Sequence, residues 1–82
     1  VITISVKLFA GIKDIVGKDE VELSVADASP VAEALASLAE NNPLLRPWKN
    51  HVRFAVNKIY VQPDHLLKSR DEVAIIPPVS GG

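Results

Sequence analysis

The sequence predicts a small α+β domain in which a mixed β-sheet carries one main helix on one face. Three observations predict it. Short segments of strict apolar–polar alternation recur toward both ends of the chain, as half-buried strands require. One longer stretch near the middle repeats its apolar residues at helical spacing. The order of these segments opens with a hairpin and then interposes the long helix, which allows a right-handed crossover.

The elements follow in order. Ile2, Ile4, Val6 and Leu8 alternate with Thr3, Ser5 and Lys7, so residues 1–8 read as a strand rich in β-branched side chains. Phe9 to Val16 breaks the alternation. Ile12, Ile15 and Val16 recur at helical spacing and Gly17 stands where a C-terminal cap belongs, which predicts a short helix or single turn. Glu20 to Val25 alternates again with Val21, Leu23 and Val25 inward, and Gly17-Lys18-Asp19 returns it antiparallel to the first strand. Ser29 is expected to cap the main helix, with Pro30 at its first position, where a missing N–H costs nothing. Val31, Ala34, Leu35 and Leu38 form its apolar stripe, Glu33 and Glu40 face water, and Asn41-Asn42-Pro43 ends it. Leu44 to Asn50 is a compact connector. Its tryptophan, Trp48, reads as a loop anchor covering the end of the helix. Val52, Phe54 and Val56 mark a third strand, Asn57-Lys58 a two-residue turn, and Ile59-Tyr60-Val61 a fourth strand. Pro63-Asp64-His65 begins a turn anchored by Leu66 and Leu67, and Glu72 to Ile76 is the last strand. A sheet with its first and last strands central and parallel, gripping the long helix, satisfies this order. That arrangement is the β-grasp, or ubiquitin-like, fold, assigned to residues 1–76; other small α+β arrangements fit the same element order.

Composition bounds the function. With 82 residues the chain makes one domain, and a hydrophobic content of 48% supports a core. A net charge of −1 with interleaved signs argues against nucleic acid as a partner. No apolar run approaches a membrane span and no secretory pattern is present, so a cytoplasmic protein is expected. The absence of cysteine removes disulfides, thiolate catalysis and cysteine–zinc sites. Val1 in first position suggests a processed or trimmed start.

Residues 77–82, Pro-Pro-Val-Ser-Gly-Gly, read as an extended C-terminal tail. Neither Pro77 nor Pro78 has an N–H for the sheet ladder, and both hold φ near −65°, so the last strand stops and the chain leaves stiffly. Val79, Ser80, Gly81 and Gly82 pack nothing. The segment makes sense as a thin probe whose working group is the carboxylate of Gly82. A carboxylate becomes an electrophile when condensation with ATP turns it into an acyl-adenylate. The enclosing enzyme leaves no room for a Cβ on Gly81 or Gly82. Fully extended, Pro78 to Gly82 reaches roughly 17 Å, enough to enter a buried site on another protein.

The body offers little chemistry. His51 and His65 lack a supporting ligand cluster, so no metal site is expected. Asp14, Asp19, Glu20 and Glu22 decorate exposed positions beside Lys13 and Lys18 and read as a solvated face. Lys7, Arg53 and Lys58 are candidates for a positive patch on the outer sheet face, joined by Phe9, Ala55, Ala74 and Ile76. With Val73 and Ile75 in the core, Ile76 projects outward beside the tail exit as a candidate partner contact; the inverse facing would exchange Ile75 and Ile76. No P-loop, dinucleotide fingerprint, nucleophile elbow or zincin motif is present.

The ending Asp71-Glu72-Val73-Ala74-Ile75-Ile76 followed by Pro77-Pro78-Val79-Ser80-Gly81-Gly82 resembles that of the small subunits of molybdopterin synthase, the MoaD-like sulfur carriers of molybdenum cofactor biosynthesis. Leu8-Phe9-Ala10, Val16-Gly17, Pro30 to Leu35, Ala55-Val56-Asn57 and Asp64-His65 are similar too. The resemblance implies a non-catalytic, sulfur-donating subunit of a heterotetrameric sulfurtransferase. An E1-like adenylating enzyme, using ATP and magnesium, would activate Gly82. A sulfur donor system would convert it to a thiocarboxylate. The tail would then enter the large synthase subunit and deliver sulfur to cyclic pyranopterin monophosphate. Gly82 is then the carrier and Gly81 gives clearance. Val79 and Ser80 contact the channel, Pro77 and Pro78 aim the tail, and Phe9, Ile76, Lys7 and Arg53 meet the partner. No cofactor is expected on this chain. The alternatives are a carrier for another pathway of the thiamine type, a ubiquitin-like protein modifier, and an interaction domain with an inert tail.

Overall fold

The computed structural model of the chain describes residues 1–78. Its elements are β1 (Ile2–Leu8), α1 (Ala10–Val16), β2 (Glu20–Val25), α2 (Ala32–Asn41), a 3₁₀ segment (Pro43–Trp48), β3 (Arg53–Val56), β4 (Ile59–Val61) and β5 (Glu72–Ile76). The strands form one mixed sheet in the order β2-β1-β5-β3-β4. β1 runs antiparallel to β2 and parallel to β5, while β3 is antiparallel to both β5 and β4. This is the β-grasp fold, with the first and last strands side by side as the element order predicts.

Alternation decides which side of the sheet is filled. Ile4, Val6 and Leu8 of β1, Phe54 and Val56 of β3, and Val73 and Ile75 of β5 are buried on one face, against Ala34, Leu35 and Leu38 of α2 and Val31 just before it. Each such Val, Leu, Ile or Phe side chain contributes roughly 1.5–3 kcal/mol by leaving water. The β1–β2 return is secured at Gly17, whose backbone is left-handed (φ 84°) and whose N–H donates to Lys13 O at 2.8 Å. Asn57 and Lys58 both adopt positive φ (51° and 72°), as a two-residue hairpin turn between β3 and β4 demands. At the other end of the main helix, the Asn42 backbone N–H and its Nδ2 both donate to Leu38 O at 3.1 Å, which closes α2 where Asn-Asn-Pro predicts.

The start of α2 departs from the prediction. Ser29 does not cap and Pro30 is not the first helical residue; α2 begins at Ala32, with Val31 in the cap position and no side-chain cap. Ser29 is buried and its hydroxyl donates to Ala26 O at 2.7 Å. Pro30 pairs with Leu66 in an antiparallel bridge, flanked by Val31 N–H to His65 O (2.7 Å) and Leu67 N–H to Ser29 O (2.8 Å). Ala32 N–H donates to Pro63 O at 3.1 Å. The carbonyls of a segment more than thirty residues away therefore satisfy amides that a local cap would otherwise serve. That pairing also splits Leu66 from Leu67: Leu67 is 2% exposed, while Leu66 is 56% exposed and anchors nothing.

A polar clasp sets the entry to β5. Asp71, 9% exposed, accepts from Asn57 Nδ2 (3.1 Å) and from Lys68 N–H (2.8 Å). Asn57 N–H donates to Glu72 O at 2.8 Å, and Glu72 N–H donates to Asn57 Oδ1 at 3.1 Å. Among the described residues, no helix is long and apolar enough to cross a membrane.

Candidate functional site: the exit of the last strand

β5 lies in the middle of the sheet, between β1 and β3, so it delivers whatever follows it to a fixed place. The ladder stops at Ile76, because Pro77 and Pro78 have no N–H to continue it. Pro77 is nonetheless buried against the body, and Pro78 is the first exposed residue beyond the strand. Val79, Ser80, Gly81 and Gly82, which carry the tail chemistry assigned from sequence, lie outside the described residues.

Register brings the exit together with the end of β1. Leu8 pairs with Ile75, which leaves Phe9 and Ile76 as the next residues on the two parallel strands. Phe9 is 43% exposed and in extended conformation (φ −133°, ψ 152°), immediately before α1. Phe9, Ala10, Ile76, Pro77 and Pro78 line a shallow apolar pocket of about 300 Å³. Ala10 turns the chain into α1 with a positive φ of 49°, a conformation that costs a non-glycine residue about 1–2 kcal/mol. Ile75 is fully buried and Ile76 half-buried, so the facing assigned from alternation holds.

The charges around this pocket differ from a simple positive patch. Lys7 Nζ lies 3.3 Å from Glu72 Oε1, and Glu20 is its register partner on β2, so acids on both sides accompany its charge. Arg53 pairs in register with Ile76 and is exposed beside the exit, while Lys58 sits in the turn at the far end of β3. Between Lys7 and Arg53 the outer face narrows to Ala74 and Ala55. Ala55 is buried although it points outward, since Ala74 and Tyr60 flank it in register. Tyr60 and Ile59 on β4 are large, apolar and exposed, and sequence reasoning did not single them out. A signal was available: a three-residue strand after a tight turn is a sheet edge, where side chains on both faces meet water.

The remaining sequence candidates do not converge. Asp14, Asp19, Glu20 and Glu22 are all exposed, as are His51 and His65. Among the described residues, no three His, Cys, Asp or Glu side chains come together to hold a metal ion.

Known proteins place this arrangement in context. Residues 6–82 match the model of the ThiS family. The chain is 37% identical over 81 residues to the molybdopterin synthase sulfur carrier subunit of Chlamydomonas reinhardtii, covering 96% of this chain and 98% of that one. It is 38% identical over 82 residues to the protein of the same name from Escherichia coli (strain K12), covering 96% and 99%. Among solved structures, the small archaeal modifier protein 1 from Methanosarcina acetivorans superposes with a TM-score of 0.80 at 28% identity, covering 99% of this chain and 97% of that one. The family match takes in Phe9, Ile76 and the tail through Gly82.

Proposed function

Because the chain belongs to the ThiS family, we propose that it is a sulfur carrier of molybdenum cofactor biosynthesis, acting as the small subunit of a molybdopterin synthase. The observation that carries this reading is near-full-length identity of 37% and 38% to two proteins named as that synthase's sulfur carrier subunit. The geometry suits it: a central strand ends beside an exposed apolar pocket.

In this reading the Gly82 carboxylate attacks the α-phosphorus of ATP, held with magnesium by an E1-like adenylating enzyme. Pyrophosphate leaves and an acyl-adenylate forms. A sulfur donor system then delivers sulfur at the sulfide level to the acyl carbon, and AMP leaves with the bonding pair, so that a thiocarboxylate remains. The tail enters the large subunit, and the thiocarboxylate sulfur attacks cyclic pyranopterin monophosphate to form a thioester. Water then cleaves the acyl C–S bond, leaving sulfur on the acceptor and the Gly82 carboxylate restored. Two such transfers supply the two dithiolene sulfurs. Gly81 keeps the channel clear, Val79 and Ser80 line it, and Pro77 with Pro78 sets the direction of entry. Phe9, Ile76 and Arg53 meet the large subunit, with Lys7 at the rim beside Glu72. Nucleotide and metal stay on the activating enzyme, and the cycle runs in the cytoplasm.

The test is removal of Gly82. Sulfur transfer to cyclic pyranopterin monophosphate by the reconstituted synthase should vanish, while the thermal midpoint stays that of the full chain, since a glycine has no side chain to bury. Transfer that survives the deletion rules the carrier out. The intact mass of protein from cells making the cofactor should show one oxygen exchanged for sulfur.

A second reading, a ubiquitin-like modifier joined to lysines of other proteins, draws on the archaeal modifier with the same fold. It predicts a ladder of conjugates in cell extract, with Gly82 in amide linkage to lysine. A carrier shows none.

A further inference from the structure

Gly11 stands inside a helix without needing to be glycine for its backbone. Its φ is not in the left-handed range, and glycine there is less favourable than alanine by about 1 kcal/mol. The reason lies in space. A Cβ built on Gly11 would meet Trp48 Cη2 at 3.0 Å and Cζ2 at 3.1 Å, so the benzo ring of the indole lies flush on the backbone of α1. Trp48 ends the 3₁₀ segment, far along the chain from α1, and is half-buried against the core. Trp48, expected from sequence as a loop anchor over the end of the main helix, thus also covers the short helix.

The position of α1 matters because its first turn holds one wall of the exit pocket. The Phe9 carbonyl accepts from Ile12 N–H (3.2 Å) and Lys13 N–H (3.3 Å), and Ala10 is the first residue of the helix. Phe9 and Ala10 face Ile76, Pro77 and Pro78 across the pocket. α1 is only seven residues long, too short to be stable on its own, so its place is set by what packs on it. Ile12 secures its inner side. The contact available on the Gly11 side is Trp48.

We infer that Gly11 and Trp48 are a positioning pair for the partner-facing pocket: the indole presses on the glycine and fixes the helix start that presents Phe9 beside the tail exit. This rests on the carrier reading, since the partner is the large synthase subunit. Neither residue lines the pocket itself. Both act through Phe9.

The pair is tested by a cycle of Gly11→Ala, Trp48→Phe and the double variant. Phenylalanine lacks the benzo atoms that meet Gly11, so the added methyl of Gly11→Ala has room in the double variant. Each single variant should bind the large synthase subunit of the same organism roughly five- to tenfold more weakly, the scale on which coupled residues away from a binding site act. The double variant should regain most of the loss. Backbone amide resonances of Phe9, Ala10 and Ile76 should move in the singles and return in the double, measured below the unfolding transition of each. A role confined to stability would lower the thermal midpoint while leaving affinity and these resonances alone, and that result overturns the inference. So do additive losses with no recovery, or resonances that move with no change in affinity. If the unaltered chain fails to bind the large subunit, the carrier reading fails by itself, and the resonances still decide whether the pair sets the pocket.

Discussion

The two faces of the sheet are built from the same strands and differ in every other respect. On the inner face, β1, β3 and β5 present long aliphatic and aromatic side chains that the helix covers. On the outer face the same strands present Lys7 with Glu72, then the small Ala74 and Ala55, then Ile76 beside exposed Arg53. Ile75 and Ile76 show the contrast at one step of the chain, one fully buried and its neighbour half-exposed at the exit. The difference teaches that volume on one side is spent on stability, while the other side is kept flat, lightly charged and available. The proposed carrier role would draw on both properties in one strand.

Substitutions at matched positions sharpen this contrast. The largest stability effect is expected on the inner face. Ile75→Ala should cost about 2–5 kcal/mol in urea unfolding, because the site is enclosed on every side and cannot collapse around the lost methyls. Partner binding by the fraction that remains folded should change little. Next comes the clasp at the start of β5. Asp71→Ala leaves Lys68 N–H and Asn57 Nδ2 without their acceptor and should cost about 1–3 kcal/mol. If the loss were much smaller, water would be replacing the carboxylate and the clasp would not set the strand. The smallest stability effect is expected from Ile76→Lys, under about 1 kcal/mol for a half-exposed position, together with at least about tenfold weaker binding to the large subunit. A stability loss from Ile76→Lys that approached that of Ile75→Ala would break the comparison, since the two residues would then share one core.

What the sequence determined by itself is everything that depends on near neighbours along the chain. Alternation in Ile2 to Leu8 and in Glu72 to Ile76 assigned the strands and their facings. The Val31, Ala34, Leu35, Leu38 stripe assigned the helix, and Gly17, Asn57-Lys58 and Asn42-Pro43 marked the turns and the helix end. The prolines after Ile76 marked where the ladder must end, and the motif that closes the chain pointed to the family. Tertiary structure alone decided what depends on residues brought from afar. Ser29 and Pro30 look like a helix start, yet carbonyls of Pro63 and His65 meet Ala32 and Val31 and move the start onward. Nothing beside Asp71 in the chain announces its burial, which Asn57, 14 positions earlier, makes possible by donating to it. Lys7 reads as a free charge until β5 brings Glu72 alongside, and Gly11 is unexplained until Trp48 arrives over it. The physical reason is one of range. Propensity and periodicity are properties of a few consecutive residues, whereas a hydrogen bond or a close contact between distant segments exists only after the whole sheet has formed and fixed their separation.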